Sequence, residues 1–343
     1  DSGRSEQLTT PLRPEGGVDT HYVLGGVPLR VHCEDHSVAA MVDGRLASLR
    51  GPGFDHVDPG EPGIDVEIRG PGAALDWPVA PSGPGRSVYD APSGPIEYFE
   101  DADQLFVDYE DRVRLLCTPT EGRIEMAITG SDPGAPTVAT HPLFNIALFE
   151  TMKRRGRFAL HAAAASREGR GVLVPGTSGA GKSTLSVTLV RAGFDFLSDD
   201  TVFLSSPDKG IWVSAFPDEV DVTPNTVSLV PELGHLSGQP LRPGREKHAF
   251  RIEEVFGVTP VAGCRPVAFL SPRVEVGSAP ELVDLAPASA LFELTANLML
   301  TEPVSTQAHL DILGALVRSV PCFTFRTGGD LDAVAACVTE LVG

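Results

Sequence analysis

Residues 171 to 184 read Gly-Val-Leu-Val-Pro-Gly-Thr-Ser-Gly-Ala-Gly-Lys-Ser-Thr, and this stretch fixes a strand, a tight loop and a helix in succession. The apolar run Val172 to Val174 predicts a buried strand, and Ser183 to Ala192 predicts a helix closed by Gly193. Between them, Gly176 through Lys182 to Ser183 matches the phosphate-loop pattern Gly-x4-Gly-Lys-[Ser/Thr]. Glycines at 176, 179 and 181 let the backbone wrap a polyphosphate so that successive N–H groups and the helix N-terminus face the anion. The expected nucleotide-binding residues are Gly176, Thr177, Ser178, Gly179, Ala180, Gly181, Lys182, Ser183 and Thr184. Lys182 is placed to reach the β and γ phosphates and the Ser183 hydroxyl to ligate magnesium, so ATP and Mg2+ are the expected cofactors.

The chain's 343 residues exceed one typical domain, and 42% apolar residues suffice for more than one core. Its net charge of −19 is uneven, with −15 in residues 1 to 150 and −4 in the rest. An acidic first half disfavours nucleic acid and anionic membrane as partners and suits solubility or a cationic partner. No segment reads as a signal peptide or as a bilayer-spanning run, and the five cysteines show no Cys-x-x-Cys spacing. A cytoplasmic protein with free thiols is expected.

Residues 1 to 17 are polar and without period, and read as a flexible start. From 18 to 140, short alternating segments such as Ile64 to Ile68, Gln104 to Tyr109 and Ile124 to Ile128, separated by Gly/Pro clusters, predict a β-rich antiparallel domain. After Ser131 to Pro142 the texture changes. Leu143 to Arg155 has helical spacing, and strands then alternate with helices to the end, so 141 to 343 reads as an α/β nucleotide-binding domain.

The apolar segment Phe194 to Leu204 is interrupted by Asp199 and Asp200; two carboxylates inside a buried strand call for a cation or a proton-transfer role, the alternative being a strand that ends there with both acids exposed in a turn. His161 lies on the apolar strand Phe158 to Ala164, where a satisfied core histidine is the ordinary reading. Arg242, Arg245 and Lys247 form a basic cluster that could clamp a transferred phosphoryl or an anionic substrate, or simply be a solvated loop.

Leu160-His-Ala-Ala-Ala, the phosphate loop and Phe-Leu-Ser-Asp-Asp-Thr-Val together resemble the catalytic core of the HPr kinase/phosphorylase family. Closer still are the HPr-kinase-related proteins of bacterial biosynthetic clusters, including lasso-peptide kinases, and the same order is similar to phosphoenolpyruvate carboxykinase. The resemblance implies a phosphoenolpyruvate carboxykinase-like P-loop kinase core beside the β-rich N-terminal domain. It makes His161, Lys182, Asp199 and Asp200 catalytic, with Asp199 favoured as base, Asp200 with Ser183 at the metal, and the two acids exchangeable. The Leu-Glu-Ile-Arg-Gly-type segment of bifunctional HPr enzymes does not follow the Asp pair, and the first 150 residues do not resemble that family's N-terminal domain. The expectation is therefore an ATP-dependent kinase acting on a hydroxyl, preferably a Ser/Thr of a peptide or protein. A small-molecule alcohol kinase, a non-catalytic NTP-binding module and a homo-oligomer stay open.

Overall fold

The computed structural model describes residues 16–343 except 52, 73–85, 92–93, 102, 111, 130–131, 178, 207–209, 242–245, 276, 296–297 and 299–303. All but the last two residues of the expected flexible start thus lie outside the described residues. The chain is mixed α/β with several sheets.

The first sheet contains β1 (Val18–Leu24), β2 (Val27–Cys33), β3 (Ile64–Arg69), β4 (Arg86–Ala91), β5 (Gly94–Asp101), β6 (Gln104–Tyr109), β7 (Val113–Thr118) and β8 (Arg123–Ile128). Their order is β1-β2-β3-β8-β7-β6-β5-β4. Alternate residues of β2 and β7 are buried, the period-2 signature of a sheet with one face on a core. The antiparallel expectation is corrected here, because β2 pairs parallel with β3 and β3 parallel with β8. Helix α1 (His36–Leu46) supplies the crossover that a parallel β2–β3 pair requires. Its start is fixed by Asp35, whose carboxylate accepts from the Ser37 and Val38 amides.

A short helix α2 (Ala135–Val138) leads into α3 (Phe144–Lys153), which is buried over nearly its whole length and touches both β7 and the first strand of the second unit. One continuous hydrophobic core therefore runs from Leu29 and Ile124 through Phe149 to Phe203 and Leu316. Just beyond α3, Arg155 donates to the carbonyls of Pro62, Gly63, Pro119 and Thr151, which ties the helix end to the loops of the first sheet.

The second unit begins with β9 (Phe158–Arg167), β10 (Arg170–Pro175), α4 (Lys182–Arg191), β11 (Asp195–Ser198), β12 (Thr201–Ser205) and β13 (Trp212–Ala215). An insertion follows with β14 (Val220–Val222), α5 (Pro224–Leu229), β15 (His248–Phe250) and α6 (Ile252–Phe256). It continues with β16 (Gly263–Val274), β17 (Glu281–Asp284), α7 (Pro287–Thr295), α8 (Thr306–Ser319), β18 (Cys322–Thr327) and α9 (Leu331–Val342). The long strands β9 and β16 each serve three neighbours along their length: β9 pairs first with β12 and then with β10 and β11, and β16 first with β13, then with β10 and β18. With β12 paired to β13, the ladders β9-β10-β16-β13-β12 close on themselves.

Helix α4 is clamped from two sides. Leu185 and Leu189 pack with Val172, Val174, Phe325 and Val338, whereas Val187 and Val190 pack with Val220, Val222, Phe250 and Ile252 of the insertion. The five cysteines are free thiols, and burial pushes those of Cys33, Cys117 and Cys264 up to about 12. Among the described residues, no helix is long and apolar enough to cross a membrane.

Candidate active site

The phosphate loop sits between the end of β10 and the start of α4. Gly181 occupies the position before the helix with φ +98°, and a Cβ there would lie 3.1 Å from Val274 Cγ2, so both conformation and space call for glycine. No side chain caps α4. Its first-turn N–H groups are therefore left for an anion, with the positive end of the helix dipole behind them.

Lys182 is buried, yet among the described residues its ammonium pairs with no carboxylate. It donates to the Gly176 carbonyl at 2.5 Å and the Thr177 carbonyl at 3.4 Å, and lies 3.3 Å from His161 Nε2. Burial lowers its pKa, the charges of Asp200 and Asp199 oppose that, and the Lys247 charge adds to the lowering. An ammonium is donor only, so the contact makes His161 Nε2 the acceptor and puts the ring proton on Nδ1. Nδ1 faces Asp200 Oδ1 at 3.2 Å. The strand ladder sets this up by pairing Thr201 directly with His161.

The Asp pair is not inside a strand. It forms the bend between β11 and β12, both of which pair with β9. Ser198 makes that bend: its hydroxyl donates to the Phe216 carbonyl at 2.9 Å and faces the amides of Asp200 and Thr201 at 3.4 and 3.3 Å. Sequence reasoning missed Ser198, although a serine before two aspartates is a recognised signal for a side-chain-stabilised turn.

The bend sends the two carboxylates opposite ways. Asp199 is buried and accepts from Ser183 Oγ at 2.7 Å through Oδ2, while its Oδ1 is enclosed without a hydrogen-bond partner. Burial raises its pKa to about 6, with the Asp200 charge adding to the rise and the Ser183 hydroxyl opposing it. Asp200 has 64% of its side chain open to solvent. The crowding of protein around its base would raise its pKa, but the hydrogen bond from His161, helped by the Lys182 charge and the Thr201 hydroxyl, outweighs this and holds it below the usual carboxylate range.

A magnesium ion fits this donor set. Asp199, through its orphaned oxygen, and Ser183, through its hydroxyl, would be the residues to hold it, two hard oxygen donors of the kind magnesium takes alongside phosphate oxygens and water. Among the described residues, no group of three or more His, Cys, Asp or Glu could hold a metal without such outside ligands.

Of the other expected site residues, Thr184 bonds the Thr226 hydroxyl at 2.8 Å, tying the loop to the insertion. Lys247, at the start of β15, is half-buried and close enough for its charge to act on Lys182. Ser178, Arg242 and Arg245 lie outside the described residues.

No family model matches the chain, and no curated protein matches it. Among solved structures it is similar to the HPr(Ser) kinase/phosphatase from Coxiella burnetii, with 15% identity over 54% of this chain and 93% of that chain and a TM-score of 0.29. A likeness of that size carries no argument, and the functional reading rests on the geometry of the site.

Proposed function

We propose that the chain is an ATP- and magnesium-dependent phosphotransferase that moves the γ-phosphoryl group to a hydroxyl. The observation that carries this reading is the opposed pair of carboxylates at one phosphate loop: Asp199 turned to Ser183, and Asp200 turned to His161 and open space. This favours exchanging the two roles assigned from sequence, with Asp199 and Ser183 at the metal and Asp200 toward the acceptor. Magnesium, when bound, neutralises charge on the β and γ phosphates.

Lys182 and the α4 amides hold the phosphates, and His161 orients Asp200 through its Nδ1 proton. The acceptor oxygen bonds to the γ-phosphorus as the bond to the β–γ bridging oxygen breaks, and the hydroxyl proton passes to the Asp200 carboxylate. A carboxylate ionised at neutral pH serves here, because a loose transition state asks little basicity of its base. An acceptor Ser/Thr on a cationic peptide or protein suits the acidic first half, and a small-molecule alcohol is the alternative.

Transfer from γ-labelled ATP to peptide, protein and alcohol acceptors tests the reading. Lys182→Ala is expected to reduce transfer by roughly 1000-fold, and Asp200→Asn to lower kcat by about 100-fold or more at unchanged magnesium requirement. Asp199→Asn should instead raise the magnesium concentration needed. Tight MgATP binding with no transfer to any of these acceptors would sink the phosphotransferase and leave a nucleotide-binding module.

A further inference from the structure

Through the end of one helix, the first half of the chain touches the insertion that packs on α4. Arg251 Nη1 donates to the Gly44 carbonyl near the end of α1 at 2.5 Å, and its Nη2 lies 3.3 Å from Ser48 Oγ and 3.2 Å from Glu253 Oε1. Ser48 Oγ in turn donates to the same Glu253 oxygen at 2.9 Å, which closes a three-membered network. Carbonyls in the last turn of a helix lack intrahelical donors and sit at the negative end of its dipole, so a guanidinium is the natural cap.

Arg251 is also the residue that follows β15, and Lys247 is the one that precedes it. Strand β15 is only three residues long and is pinned to β14 with His248 opposite Val222. Thr223, the next residue after Val222, caps α5, whose Thr226 hydroxyl lies 2.8 Å from that of Thr184 in the phosphate loop. This puts the β15 end bearing Lys247 on the loop's side of the insertion. A strand this short cannot fix its own position, and its neighbours on both sides must do so. A second brace lies beside the catalytic bend, where Arg45 of α1 donates to Asp218 at 2.8 Å and to the Thr140 carbonyl at 2.6 Å.

We propose that Arg251 is a positioning residue through which α1 holds Lys247 over the phosphate loop, so that the first half of the chain takes part in phosphoryl transfer by supporting a clamp cation. This deepens the phosphotransferase reading and rests on it. Lys247 meets the transferred phosphoryl, Arg251 never touches it, and the Ser48-Glu253 pair keeps the guanidinium on the helix end.

The full chain carries only four lysines, so acylation of Lys247 can be followed by mass spectrometry with and without saturating MgATP, with buried Lys153 as internal reference. The nucleotide is expected to protect Lys247 in the wild type. Arg251→Ala, and to a smaller degree Ser48→Ala, should abolish that protection while binding of a fluorescent ATP analogue stays within about threefold; kcat should fall by about 10- to 100-fold with KM for ATP little changed. Arg251→Lys should restore part of the loss. In a Lys247→Ala background, Arg251→Ala should cost nothing further, because the two act through one group.

Unchanged Lys247 protection in Arg251→Ala at full nucleotide occupancy overturns the inference, as do kcat losses that multiply in the double variant. Nucleotide bound to the wild type without protecting Lys247 removes the clamp and this inference together, but leaves nucleotide binding intact. Protection that depends on Arg251 in a protein that transfers to no acceptor upholds the positioning and overturns the phosphotransferase instead.

Discussion

Lys182 and Asp199 are buried almost as deeply as Lys153 and Glu150, yet the two sets of charges are held in different ways. On α3, the Lys153 ammonium and the Glu150 carboxylate lie one helical turn apart at 2.8 Å, with 1% and 2% of their side chains exposed. Each satisfies the other's charge inside the core shared by both sheets. At the phosphate loop, Lys182 spends its protons on two carbonyls and an imidazole, and Asp199 faces a hydroxyl rather than a cation. A carboxylate oxygen without a hydrogen bond does not separate the two sets, since Glu150 Oε2 shares that state with Asp199 Oδ1. Desolvation is tolerated in both places, but only the first is neutral by itself. A buried group whose electrostatic need is unmet marks a place prepared for an incoming ion; one whose need is met marks a joint.

The largest effect that would break this contrast comes from the closed pair. Glu150→Ala removes the counter-charge 2.8 Å from a buried ammonium, and urea denaturation should show a loss of about 3–5 kcal/mol with ATP-analogue affinity nearly unchanged. A loss below about 1 kcal/mol would mean that water reaches α3 and that the two regions do not differ as described.

His309 sharpens the same contrast through pH. It lies fully buried on α8 against the Phe158 ring, with centroids 5.1 Å apart, and neither ring nitrogen has a partner of hydrogen-bonding geometry. Burial depresses its pKa to about 4 and the nearby Lys153 charge adds to this, while the Ala159 carbonyl opposes it only weakly. The unfolded chain protonates this imidazole near 6.5 and the folded protein does not, so stability is full above that pH and falls as pH drops toward 4. The loss from this group is at most about 3 kcal/mol, and His309→Leu should remove it from the denaturation profile.

The smallest expected effect belongs to the open set. Magnesium needs the Asp199 carboxylate ionised, and that group holds its proton up to about pH 6 in the free protein. MgATP affinity measured by titration should therefore weaken as pH falls below about 6, approaching tenfold per unit, and level off above it. Asp199→Asn should flatten this dependence. If the wild type is equally flat, Asp199 is not the metal's carboxylate.

The parts of the fold written in local period were legible in the sequence. The runs around β9, β10, β18, α8 and α9 announce themselves by apolar spacing, and the phosphate loop by its glycines. Helix α1 did not, because Asp43, Gly44 and Arg45 dilute its apolar stripe of Val38, Ala39, Val42 and Leu46, and without it the parallel pairing of β2 and β3 could not be read. The bend at Asp199 and Asp200 was hidden for another reason. Phe194 to Leu204 has the composition of one strand, and only a long-range bond from Ser198 to Phe216 breaks it. The contact of Arg251 with Gly44 spans 207 residues and leaves no mark on either segment's sequence.

Because α4 lends Leu185 and Leu189 to one hydrophobic cluster and Val187 and Val190 to another, it is the seam between two cooperative units. Opening of the insertion would leave the packing of Leu185 and Leu189 on the ring of strands intact. On the phosphotransferase proposal, nucleotide entry and product escape would need only the breathing of that small satellite, without loss of the scaffold's stability.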